Sequence, residues 1–390
     1  MTSIDPTLVS AVADERTRIT VDFMRQRDID HLLLGNADNI RFVCNYRSLI
    51  INETADHMFC VMNETGAANI YGPHLRSPNK NSDPATPAVQ EVRPISGWVP
   101  AMAEPRTTIE TLVAAISGTK HVGYDAIHPQ LLHGLQTELP STRFTYIGGA
   151  LMDERRIKLP GEIRLMETAC SQNLAALDAA FAHAAPGVSD RQLLAAALEH
   201  QQSGQAELIT HSTCNVGAQF GNWFPNGSTM SQGQAIFIDQ VYYGPGGYAS
   251  DLTRTKFVGE PSAQVLDAYR KLVEVAQVVI DAAKPGTKTV FLDELLNETL
   301  RRHGLAPSPY GLGHGIGLRV MEPPSLIQRD LVDADVSLRQ GEVVALEPET
   351  AIETENGTVV LKVEDCFRVE DSGLRALGPQ AGLEEVILDR

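Results

Sequence analysis

Cysteine is scarce in these 390 residues: there are five (Cys44, Cys60, Cys170, Cys214 and Cys366), an odd number, and none stands in a C-x-x-C arrangement. That scatter excludes a disulfide framework and a thiolate zinc site. Positive charge is also in short supply, with 32 Lys and Arg against 49 Asp and Glu and a net charge of −17. An excess of that sign repels phosphate backbones and anionic bilayers, so neither nucleic acid nor a membrane surface is expected as a partner. Long apolar runs are missing too, none approaching the roughly 18 residues of a membrane-spanning helix. The opening Met1-Thr2-Ser3-Ile4-Asp5-Pro6 has neither the basic nor the apolar region of a leader, which points to a cytoplasmic protein.

What is present is ordinary for a folded chain: 43% hydrophobic and 21% charged residues, enough for a proper core and too apolar for wholesale disorder. The length suggests two domains or one large one. In residues 1–155, Leu8, Val12, Ile19, Phe23 and Met24 recur at helical spacing from Pro6 to Arg27. Short apolar runs at His31–Leu34, Ile40–Cys44, His57–Met62 and Ala68–Tyr71 read as strands. Seven prolines between Pro73 and Pro105 argue for a long irregular connection. Helices at Thr107–Ile116 and Pro129–Leu139, with strands at His121–Tyr124 and Phe144–Ile147, complete a mixed α/β domain. The second domain, 156–390, opens with a helix from Glu162 to about His183, closed by Pro186-Gly187; another begins at Asp190, capped by Ser189 or Asp190.

An internal repeat is the most informative feature. Gln232-Gly233-Gln234-Ala235-Ile236-Phe237-Ile238-Asp239 is matched by Gln340-Gly341-Glu342-Val343-Val344-Ala345-Leu346-Glu347: a glycine turn, an apolar strand, then an acid. Each copy is followed by a second strand with another acid, Asp251 in the first and Glu364 in the second. Pro186-Gly187 and Pro285-Gly286 punctuate both halves upstream. Matching halves packed face to face bring matching acids to one central site.

Asp239 and Glu347 each stand at the exit of a buried strand, and with Asp251 and Glu364 they make four carboxylates that need compensation. Lys362 and Arg254 offer one form of it, as ion pairs. Two divalent cations offer another, and four oxygen donors with one imidazole suit Mn, Fe, Co or Zn. The imidazole available is His314, in Gly313-His314-Gly315-Ile316-Gly317, where flanking glycines let the backbone approach closely.

Over Arg156–Val369 this pattern resembles the pita-bread fold of methionine aminopeptidase, prolidase, aminopeptidase P and creatinase, and the first domain resembles the N-terminal domain of the creatinase–prolidase branch. The resemblance rests on Arg156-Ile157-Lys158 with Glu162-Ile163, Asp239, Tyr248-Ala249-Ser250-Asp251-Leu252-Thr253-Arg254-Thr255, Gly313-His314-Gly315-Ile316-Gly317-Leu318 with Glu322-Pro323, Glu347-Pro348 and Val363-Glu364-Asp365. It implies an α/β (α+β) fold, metal ligands at Asp239, Asp251, His314, Glu347 and Glu364, and hydrolysis by a hydroxide bridging two metals, with Glu347 or Glu364 as proton acceptor. It also implies a homodimer, with Pro73–Pro105 reaching over the partner's site.

Two departures stand out. Peptidases of this family carry a histidine before the first acid and another before the Glu-Pro of the His314 segment; here Asn222-Trp223-Phe224 and Met321 occupy those places, with His211 nearby. Asp239 and Asp251 are also 12 apart, lengthened by Gly244-Pro245-Gly246-Gly247, as in a branch that includes a dimethylsulfoniopropionate lyase. That lyase has a further acid where this chain has Val241. Trp223, Phe224, Tyr242, Tyr243 and Met321 form a candidate apolar or cation-binding wall; Asn222, Trp223, Tyr242, Met321 and Glu322 are the expected substrate contacts. The leading expectation is a metal-dependent hydrolase of a C–N amide in a small substrate such as an Xaa-Pro dipeptide. The alternatives are a lyase for a small carboxylate and a non-catalytic binding protein.

Overall fold

Local sequence chemistry sets the element boundaries in the computed structural model, which describes residues 6–46, 58–72, 79–80, 85–95, 105–204, 207–216, 224–327 and 336–388. The chain divides into two compact units, Met1–Arg155 and Arg156–Arg390.

In the first unit, α1 (Pro6–Gln26) buries Val12, Phe23 and Met24. β1 (His31–Leu34) leads into α2 (Ala37–Cys44). This helix replaces the strand expected at Ile40–Cys44, because Asn36 caps it, accepting from the N–H groups of Asp38 and Asn39. A short apolar run alone does not separate strand from helix. Then follow β2 (Phe59–Asn63), β3 (Ala68–Gly72), β4 (Asn79–Lys80), β5 (Val89–Pro94), α3 (Pro105–Ile116), β6 (His121–Tyr124), α4 (Pro129–Glu138), β7 (Arg143–Tyr146) and α5 (Gly148–Arg156). One mixed sheet results, in the order β4-β5-β3-β2-β1-β6-β7. Part of the proline-rich stretch is regular after all: β5 pairs in parallel with β3, and Pro94 is its last residue. Most of the rest of that stretch, 73–78, 81–84 and 96–104, lies outside the described residues.

The second unit starts with α6 (Pro160–Phe181), where the Leu159 N–H donates to Glu162 Oε2 at 2.8 Å and Pro160 opens the first turn. α7 (Asp190–Ser203) is capped by Ser189 in a reciprocal box with Gln192. Next come β8 (Leu208–Val216), β9 (Gln234–Tyr243), β10 (Ala249–Val258), α8 (Ala263–Ala282), α9 (Thr289–Arg302), β11 (Gly313–Gly315), β12 (Glu322–Leu326), β13 (Val343–Leu346), β14 (Glu349–Thr354), β15 (Gly357–Lys362), β16 (Asp365–Glu370), β17 (Gly373–Ala376) and β18 (Ile387–Leu388). They form two larger sheets, β18-β10-β9-β8 and β12-β11-β13-β16-β17, and the hairpin β14-β15.

The repeat is written into these sheets: β8-β9-β10 and β11-β13-β16 are the same antiparallel trio. Gly233 and Gly341 enter the central strands with φ of +76° and +87°, a conformation that favours glycine. Gly187 and Gly286 each have φ +88°, and matching bridges, Ser189 to Thr229 and Lys288 to Ser337, follow them. Leu272, Val275, Leu292, Leu296, Leu312, Val344 and Phe367 belong to one core cluster joining α8 and α9 to the second sheet. All five cysteines are buried and unpaired by disulfides. No helix among the described residues is long and apolar enough to cross a membrane.

Candidate metal centre

Strand pairing alone gathers the acids. Asp239 on β9 lies directly opposite Thr253 on β10. Side chains alternate along a strand, so Asp251, two residues before Thr253, shares that face. Thr253 in turn bridges to Glu364: each backbone N–H donates to the other's carbonyl at 3.3 Å, and Thr253 Oγ1 donates to Glu364 Oε2 at 2.8 Å. Glu347 follows β13, its N–H donating to the carbonyl of Leu312 at 2.8 Å, which sets it beside His314 on β11. Asp293 on α9 holds this approach in place, its Oδ1 accepting from the Leu312 N–H at 2.8 Å.

The five groups converge. His314 Nε2 is 3.8 Å from both Asp251 Oδ2 and Glu347 Oε1. Asp251, His314 and Glu364 each bring a ligand atom within 4.8 Å of the others. His314 Nδ1 lies 3.0 Å from the Gly315 carbonyl, which only accepts, so the proton sits on Nδ1 and the Nε2 lone pair faces the carboxylates. Lys362, at the end of β15, places its Nζ 2.6 Å from Asp239 Oδ2, 2.8 Å from Glu347 Oε2 and 3.4 Å from Glu364 Oε2. Arg254, the other expected counter-charge, pairs instead with Asp365 at 2.7 Å.

Burial and mutual repulsion leave their mark on these groups. Asp251 is pushed well above the usual carboxylate range by burial and by Glu364 and Asp239. Burial and Glu347 push Glu364 up, with Lys362 opposing. For Lys362 burial works against the charge, yet Asp239, Glu347, Glu364 and Asp251 hold its ammonium well above the ordinary lysine value. Glu349, two residues beyond Glu347, is raised to about 7, mainly by burial.

These residues fit a divalent cation. Asp251 Oδ1 and Glu364 Oε1 are buried with no hydrogen-bond partner among the described residues, and each bare oxygen costs about 1–3 kcal/mol. Both belong to carboxylates in the trio that includes the imidazole, and a cation there would satisfy them.

The expected substrate contacts fall in different places. Tyr242 is three residues from Asp239, so alternation turns it to the opposite face, where its hydroxyl donates to Gln172 Oε1 at 3.0 Å. Glu322 is spent in a buried ion pair with Lys158 at 2.9 Å. Met321 is 61% exposed and Phe224 75%. Asn222 and Trp223 lie outside the described residues, as does the side chain of His211. Tyr243 does share the face of Asp239, and its hydroxyl accepts from the Val320 N–H at 3.0 Å. The sequence reading gave no role to Thr253, Glu349 or Asp293. Thr253 stood inside the motif that carries the resemblance, and Glu349 is an acid two residues past Glu347; Asp293 carried no signal.

Known proteins resemble this chain in sequence and in fold. The description of metallopeptidase family M24 fits residues 164–371. The Xaa-Pro dipeptidase of Pyrococcus horikoshii is 24% identical over 374 residues, covering 94% of this chain and 97% of the relative. That of Lactobacillus helveticus is 29% identical over 255 residues, 64% of this chain and 66% of the relative. Among solved structures, the prolidase from Pyrococcus horikoshii superposes with a TM-score of 0.75 at 21% identity, over 95% of this chain and 100% of the other. The X-Pro aminopeptidase from Thermotoga maritima gives 0.77 at 18% identity, over 95% and 99%. At such identities the structures speak to the pita-bread fold, and the family match speaks to the chemistry of a metal-dependent hydrolase. The chain belongs to metallopeptidase family M24.

Proposed function

We propose that this protein is a dinuclear-metal peptidase that cleaves the C–N amide bond before proline in a dipeptide-sized substrate. The observation that carries the reading is the buried trio Asp251, His314 and Glu364, with its bare oxygens and its imidazole nitrogen turned inward. Asp239 and Glu347 complete the donor set for two cations of the Mn, Fe, Co or Zn type. Cations bound there lower the pKa of water and polarise the scissile carbonyl.

The chain's own groups do the rest. The Gly315 carbonyl fixes the His314 tautomer, and the Thr253 hydroxyl fixes one oxygen of Glu364. Glu347 has the most exposed side chain of the five, 17% against 1% for Glu364, so we assign proton acceptance to its carboxylate, which then passes the proton to the leaving nitrogen. Tyr242 and Glu322 are engaged elsewhere, so the substrate wall is assigned to exposed Met321, with Asn222 and Trp223 added from sequence alone. The named relatives are peptidases, which favours neither a lyase nor a non-catalytic protein. A cytoplasmic homodimer belongs to the same reading; light scattering giving twice the 42.4 kDa chain mass supports the dimer and a monomer mass refutes it.

The test is metal analysis of never-chelated protein together with a panel of Xaa-Pro and non-proline dipeptides. Stoichiometric divalent metal and chelator-sensitive release of proline are expected. Proline release that persists in metal-free protein refutes the mechanism.

A further inference from the structure

The proposed centre already holds a cation of its own, the Lys362 ammonium, on Asp239, Glu347 and Glu364. Directly across the β14–β15 ladder from Lys362 stands Glu349. Glu349 is 1% exposed, and neither of its carboxylate oxygens has a hydrogen-bond partner among the described residues. Nothing in the catalytic reading uses it.

The backbone fixes how far apart these two groups can be. Residues paired across an antiparallel ladder have Cβ atoms about 5 Å apart on the same face. A lysine ammonium on its flexible four-carbon stem covers that span by side-chain rotation. Lys362's own backbone stays anchored meanwhile, because the Thr255 hydroxyl donates to its carbonyl at 2.6 Å. A metal ion entering among Asp239, Glu347 and Glu364 takes the oxygens that the ammonium now holds, and the two like charges repel. A buried ammonium evicted without a new counter-ion is heavily penalised. Glu349 offers that counter-ion within reach.

We propose that Lys362 is a displaceable counter-ion and Glu349 its acceptor: metal loading transfers the ammonium from Asp239 and Glu347 to Glu349. The inference rests on the metal-centre reading above. In the metal-free protein Lys362 keeps the acids from facing one another uncompensated; in the loaded protein Glu349 keeps Lys362 from being stranded. In each state the buried ammonium thereby faces an acid.

The test is calorimetric titration of chelated full-length protein with Mn(II), comparing wild type, Glu349→Gln, Lys362→Met and the double variant. Glu349→Gln is expected to weaken Mn(II) binding about 10- to 100-fold, the range for a group acting on ligands from outside. Lys362→Met is expected to tighten it, since no ammonium has to move. In the Lys362→Met background, adding Glu349→Gln is expected to change affinity by less than about twofold, because the two effects are coupled. An equal loss with and without Lys362 means that Glu349 acts on the metal directly, and overturns the transfer; so does a Glu349→Gln affinity equal to wild type. Should Lys362→Met not fold, a crystal structure of the Mn(II)-loaded wild type decides: Nζ bonded to Glu349 supports the transfer, and Nζ still on Asp239 beside a bound metal overturns it. Wild type that binds no Mn(II) is a separate result, and removes the metal reading together with this one.

Discussion

The two halves of the second unit share a plan and differ in what they add to it. In the first, β8, β9 and β10 deliver Asp239 and Asp251; in the second, β11, β13 and β16 surround Glu347 and Glu364 in the matching places. Phe237 and Ala345 each stand two residues before an acid. Opposite Phe237 on β8 is Asn215, and opposite Ala345 on β11 is His314. The same position is therefore an amide in one half and an imidazole in the other. The connections differ as well: Gly244–Gly247 makes a buried turn in the first half, while the β14–β15 hairpin of the second carries Glu349 and Lys362. Duplication supplies the acids in pairs, and divergence of one copy supplies the imidazole and the resident ammonium.

Substitutions can break or sharpen that contrast. Asp251→Asn removes one of the paired acids, and is expected to abolish metal-dependent turnover, read as kcat on an Xaa-Pro dipeptide alongside metal content. His314→Asn makes the second half chemically like the first. It is expected to lower bound metal and kcat together while the metal-free protein keeps its melting temperature, read by elemental analysis, kinetics and calorimetry. Gly244→Ala tests the tight connection of the first half. Its new Cβ would lie 2.8 Å from Ala169 Cβ and 2.9 Å from Ala169 Cα, and overpacking of this kind costs about 1–3 kcal/mol, measurable by urea unfolding of metal-free protein.

The smallest effect concerns the support of β11. Burial pushes Asp293 up to about 6, so the fold favours its protonated form. Its stabilising contribution is full below the ordinary aspartate range of about 4 and is lost as pH rises through about 6. Asp293→Asn keeps an oxygen for the Leu312 N–H and has no charge to bury. The melting temperature of the variant relative to wild type is expected to rise between those two pH values.

The acids and His314 were legible because a duplicated glycine–strand–acid pattern is a statement about backbone periodicity, which sequence carries directly. Tyr242 was expected as a substrate contact, yet its odd spacing from Asp239 turns it to the opposite face of β9, where it meets Gln172. Glu322 could not be read this way: its partner Lys158 is 164 residues distant, and only folding brings them together. Lys362 was visible as a possible counter-charge, but its choice of three acids, and the choice of Asp365 by Arg254, depend on how β15 and β16 meet β10. The helix at Ala37–Cys44 was missed because its cap, Asn36, outweighed an apolar run too short to declare its period.

The buried thiols equip this molecule with its own clocks. Cys366 donates its S–H to the carbonyl of Asp251 at 3.3 Å, while Cys44 and Cys60 sit in the other unit. An alkylating reagent reaches such a sulfur only when the surrounding structure opens. Labelling rates followed cysteine by cysteine therefore time the opening of each unit separately, with no probe engineered in, and slower labelling of Cys366 after cation addition would register occupancy at the neighbouring aspartate.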